Sequence, residues 1–316
     1  MHVRRWLHSW FLGLLPLLLI ANPLLAQRKP PIPGPFAGAT KTIRADVDLV
    51  LVSAVVTDRK GTSVTGLAAD QFTILEDKVP QPIVSFSREE VPCSVGVILD
   101  LSGSMRQKLP AATAAVRAFL NGFNPEDETF LMAVSSRPES LLGFTDDAGS
   151  LQNRLMATSA AGSTALIDTV YLALNRMRSA RNARKALFIV SDGMDNNSRY
   201  SKAELLRAVQ ERDVEIHTIG MAARSPGKKP VELVEESRGL ALMTDLADQS
   251  GGLNFTVVNA EDIQPATTKI GQAIRDQYVV GYRPASQQNP GKWRSIQVKV
   301  TVPQLRAYAR KGYYAN

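Results

Sequence analysis

Ser94-Val95-Gly96-Val97-Ile98-Leu99-Asp100-Leu101-Ser102-Gly103-Ser104-Met105 decides the reading of this chain. Its first six residues are a short apolar run, rich in β-branched side chains, which predicts a strand buried on both faces. The run stops at a carboxylate. Two hydroxyls follow at alternate positions, with Gly103 between them permitting a tight backbone. In an open α/β sheet, ligands gather beyond the carboxyl ends of the strands. Asp100, Ser102 and Ser104 therefore stand where a binding crevice is expected. Alone, the triplet is ambiguous, because Asp100 or Ser102 serves equally well to cap a following helix.

On either side of this stretch, short apolar strands alternate with amphipathic helices. Helices are predicted over 105–121, 151–157, 164–177, 202–212, 240–249 and 263–275, and strands over 130–135, 186–190, 214–219 and 254–258. Ser201 with Glu204 reads as a capping box, and Asp146-Asp147 as a cap for the helix after it. This βα alternation predicts a doubly wound, mainly parallel sheet of Rossmann type. Two further features join the first. Leu187-Phe188-Ile189-Val190-Ser191-Asp192-Gly193 is a second apolar strand ending in an acid and a glycine. Gly162-Ser163-Thr164 is a glycine-hydroxyl loop that opens a helix. Carboxylates and hydroxyls form a hard-oxygen donor set, which suits Mg²⁺, Mn²⁺ or Ca²⁺ rather than zinc.

The three pieces together resemble the metal-ion-dependent adhesion site of von Willebrand factor A-type domains, and their order and rough spacing match as well. The resemblance covers residues 91–276. A looser one, carried by Val64-Thr65-Gly66-Leu67, Phe72–Asp77 and Tyr278–Tyr282, is to a secreted acidobacterial subgroup of that family. The family resemblance implies that Ser102 and Ser104 ligate a divalent metal directly. It implies that Thr164 joins them in a high-affinity state, and that Asp100 and Asp192 act mostly through bound water. An open coordination position would take a carboxylate from a protein partner, since a weakly neutralised dication seeks another anion. Asp168 and Asp195 lie near the same edge and are read as capping or solvent-facing residues.

Outside 91–276 the pattern is β. Strands are predicted at 46–58, 72–77 and 83–86, with no helix before residue 105, and again at 278–282 and 295–302, with Asn289-Pro290-Gly291 as a turn. Neither flank has enough strands for a stable sheet. The expectation is a small β-sandwich made from 45–90 and 277–316, with the α/β domain inserted between its halves. Residues 1–26 carry Arg4 and Arg5, then an apolar run interrupted by Pro16, and end at Ala26, as a secretory signal does. Residues 27–44 hold five prolines and glycines at positions 30–35 and read as a linker. The chain is thus expected to be secreted or held in the cell envelope, and to meet a membrane only if the first segment is retained.

Composition narrows the function. The 37 basic and 30 acidic residues give a net charge of +7; removing 1–26 leaves 35 and 30, or +5. No basic run and few aromatics argue against nucleic acid. The single Cys93 sits in a buried strand, excluding an internal disulfide. His217 is the one histidine after residue 26 and lies within a strand. No Gly-x-Ser-x-Gly or Walker-type loop is present. An enzyme would need a base or nucleophile beside the metal. A non-enzymatic, metal-dependent protein-binding module is favoured over an envelope assembly factor that does not use the site for adhesion. A metal-dependent hydrolase ranks last.

Overall fold

The computed structural model describes residues 49–88, 90–222, 230–284 and 291–315; the signal and linker expectations, and Asn289 and Pro290 of the expected turn, lie outside them. The decisive stretch forms β5, Cys93–Asp100, buried along its whole length. Around it lie β6 (Glu128–Val134), β7 (Glu139–Thr145), β8 (Arg184–Ser191), β9 (Glu215–Met221) and β10 (Asn254–Val257). They form one sheet in the order β10-β9-β8-β5-β6-β7. All pairings are parallel except that of β6 with the edge strand β7.

Alternation along the central strands explains why the apolar runs are continuous. Val95, Val97 and Leu99 of β5 face α1 (Leu109–Leu120) and α6 (Ile263–Arg275), together with Phe188 and Val190 of β8. Ile98, Leu187 and Ile189 face the other way, toward α3 (Leu166–Arg176), α4 (Lys202–Gln210) and α5 (Pro230–Ser250). Helices cover both faces, so both alternating sets of positions are apolar. The capping expectations hold: Asp147 accepts from Gly149 N at the start of α2 (Ala148–Met156), and Ser201 and Glu204 make a reciprocal box on α4. Among the described residues no helix is long and apolar enough to cross a membrane.

Several boundaries differ from expectation. The helix predicted from 105 begins at Leu109, because Gly103–Met105 is a 3-10 turn that drives Met105 fully into the core. Pro110 then sits in the first helical turn, where its missing N–H costs nothing. The helix predicted over 240–249 begins ten residues earlier, at Pro230, and most of the turns from 230 to 236 are exposed. Sequence patterning gives no sign of β7. Nor does it reveal the short strands β3 (Val79–Gln81), β13 (Arg306–Ala309) and β14 (Gly312–Tyr314), or the 3-10 turn Ala69–Gln71.

The flanking strands form two four-stranded sheets. One runs β13-β1-β11-β4, with β1 Val50–Thr57, β4 Ile83–Ser87 and β11 Gln277–Tyr282. The other runs β14-β12-β2-β3, with β2 Phe72–Glu76 and β12 Trp293–Val300. In each sheet, strands from before and after the α/β domain interleave: Ala54 faces Tyr278, and Ile74 faces Val298. Val52, Ala54, Phe72, Ile74, Tyr278, Val280, Tyr282 and Ile296 form a core separate from those of the α/β domain. Tyr282 and Tyr313 both donate to the buried Glu76 carboxylate, at 2.5 and 2.9 Å, and Arg294 pairs with it at 2.9 Å. The tail tyrosines are therefore packing and bracing residues of the sandwich. A single residue, Asp276, separates the last residue of α6 from the first of β11.

Candidate functional site

The carboxyl ends of β5 and β8 place Asp100 and Asp192 beside each other at one edge of the sheet. Both are buried, at 0% and 1% exposure. Asp100 Oδ1 accepts from the Ser102 amide at 2.8 Å, and Oδ2 accepts from the Ser191 hydroxyl at 2.5 Å. Burial pushes the Asp100 carboxyl up to about 6; the bonds from Ser102 and Ser191 oppose the rise, and the neighbouring Asp192 adds to it.

Backbone bonds fix the loops around these acids. Gly103 N donates to Gly162 O at 3.0 Å, and Ala161 N donates to Leu101 O at 2.8 Å, so the Ser102–Ser104 turn is stapled to the loop carrying Thr164. Thr164 is held in turn by Asn196 and Asn197, whose amides donate to its carbonyl, and by the Asn196 side chain, which accepts from its amide. Two glycines are required here. Gly162 has φ +86°, and a Cβ would lie 2.7 Å from Ser136 Oγ; Gly193 has φ +78°, and a Cβ would lie 2.2 Å from Gly239 O.

The hydroxyls of Ser102 and Ser104 are hydrogen-bonded to each other, and the Ser102 side chain also faces the Asp100 carboxylate. Ser102 Oγ and Ser104 Oγ lie 3.1 Å apart. Adjacent ligands of an octahedral Mg²⁺, each about 2.1 Å from the ion, are separated by about 3 Å. Thr164 is buried, yet its hydroxyl makes no hydrogen bond among the described residues. Among those residues no group of three or more His, Cys, Asp or Glu side chains could hold a metal, so a cation here would depend on hydroxyl oxygen as well as carboxylate. The donor set fits a hard dication on these grounds.

Asp168 and Asp195 take supporting roles. Asp195 accepts from the Ile167 amide at the start of α3 and from Ser198, while Asp168 accepts from the Arg199 and Tyr200 amides. His217 is fully buried in β9, where Nδ1 accepts from Leu253 N. Cys93 is buried against Asp127, and burial together with that carboxylate pushes its thiol up to about 12. The sequence reading missed Lys108. Its ammonium lies 3.0 Å from Asp192 Oδ2 and 2.8 Å from Met221 O. Nothing local signals this, since its partners stand 84 and 113 positions away.

An open, mostly parallel sheet sandwiched by helices, with acids and hydroxyls gathered at its carboxyl edge, defines the class. Residues 95–194 match the family model of the von Willebrand factor type A domain. Similar solved structures include the conserved hypothetical protein BatB from Bacteroides thetaiotaomicron, at 19% identity and TM-score 0.47, covering 57% of this chain and 98% of that one. The von Willebrand factor type A protein from Catenulispora acidiphila is similar at 12% identity and TM-score 0.49, covering 85% and 63%. The corresponding domain of the type V pili tip protein Mfa5 from Porphyromonas gingivalis is similar at 15% identity and TM-score 0.48, covering 59% and 96%. No curated protein matches the sequence.

Proposed function

We propose that the protein is a divalent-metal-dependent, non-enzymatic protein-binding module. The observation that carries this reading is the pair of hydroxyls on Ser102 and Ser104, 3.1 Å apart, beside two buried carboxylates. Mg²⁺ or Mn²⁺ would be held by these hydroxyls and that of Thr164, with Asp100 and Asp192 acting through water. When bound, the ion supplies a positive centre for a carboxylate of the partner protein. His217, inside the sheet and bonded to Leu253, is a poor candidate for a hydrolytic base, which favours binding over hydrolysis. The N-terminal segment, with its basic start and apolar run, supports a location outside the cytoplasm.

The test is calorimetric titration of the full chain with Mn²⁺. Wild type is expected to bind, while Asp100→Ala and Ser102→Ala lose binding and keep the wild-type circular dichroism spectrum. Equal binding by all three proteins would overturn the assignment.

A further inference from the structure

Lys108 bears on how this site is charged. It stands between the 3-10 turn of Gly103–Met105 and the first residue of α1, so the segment that carries Ser104 also carries the lysine. Its side chain is 16% exposed and that of Asp192 2% exposed, which makes this a sheltered ion pair rather than a surface one. The second bond, to Met221 O at the end of β9, fixes the ammonium on the side of Asp192 that faces β9. The Ser102 and Ser104 hydroxyls stand on the other side, past the end of β5.

We propose that Lys108 is a built-in counter-cation for the Asp100–Asp192 pair. Without metal, it offsets one of two buried like charges that would otherwise repel at the sheet edge. With a dication bound, two carboxylates, one ammonium and one ion leave a net charge of +1. The lysine therefore weakens the metal's hold while strengthening the site's demand for an anionic partner. This inference rests on the metal-binding reading above.

Substituting Lys108→Met keeps the aliphatic stem and removes the charge. In EDTA the variant is expected to melt below wild type, and Mn²⁺ is expected to restore the loss. In calorimetric titration its affinity for Mn²⁺ is expected to rise about tenfold or more. Lys108→Arg, which keeps the charge, is expected to stay within about threefold of wild type. Lys202→Met, whose pair with Asp245 is exposed, is the control for loss of a lysine elsewhere. Mn²⁺ binding of equal affinity in wild type and Lys108→Met overturns this inference alone. No Mn²⁺ binding in either protein overturns the metal reading and this inference together.

Discussion

The two ends of the central sheet both bury acids, and Asp127 at one end is treated in the opposite way to Asp100 at the other. At the amino end Asp127 accepts from the Cys93 and Asn124 amides, at 2.9 and 2.8 Å, and pairs with Arg275 at 2.7 Å. Burial pushes its carboxyl up, but those bonds outweigh it and hold the group below the ordinary range. At the carboxyl end Asp100 has fewer compensating donors and is pushed up to about 6. A carboxylate whose bonds are completed inside the fold stabilises it. One left short of positive charge is a place where a ligand can supply it.

The largest expected effect comes from breaking the closed end. Asp127→Asn leaves Arg275 without its charge partner and should cost about 3–5 kcal/mol, read by denaturant unfolding. The sign with pH follows from the lowered value: the stability Asp127 contributes is present above its unfolded value of 3.8 and is lost as pH falls through the folded one. Asp100→Asn should act the other way. The folded carboxyl titrates above the unfolded one, so in EDTA its ionisation opposes folding increasingly from about pH 4 to pH 6, and constantly above that. The variant should then gain on the order of 1–3 kcal/mol at pH 7, with the gain shrinking toward pH 4. The smallest effect on the fold is expected for Thr164→Val. Its hydroxyl makes no bond among the described residues, so unfolding should shift by less than about 0.5 kcal/mol while Mn²⁺ affinity drops.

What the sequence disclosed follows the same division. Apolar runs ending in Asp100 and Asp192 were legible because a strand buried on both faces leaves a continuous signature. β7 was not: Glu139–Thr145 is an edge strand, partly exposed and broken by Gly143, so it lacks that run. The first turns of α5 were missed because Val231, Leu233 and Val234 are exposed and show no buried stripe. Pro110 could have corrected the start of α1, since a helix running from 105 would have put it in the second turn. Lys108 was beyond reach, because its role is set by residues at the ends of β8 and β9 that only the fold brings to it.

The one-residue splice between α6 and β11 has a mechanical consequence. A helix that slides by one turn moves about 5.4 Å, more than the roughly 3.4 Å spacing of residues along a strand. β11 is hydrogen-bonded on both sides, to β1 and β4, and a slip of one residue would turn Tyr278, Val280 and Tyr282 out of their core. The register of β11 within the sandwich therefore fixes where α6 ends. A change in the axial position of α6 would have to be absorbed at Asp276 or by a change in the pairing of β11.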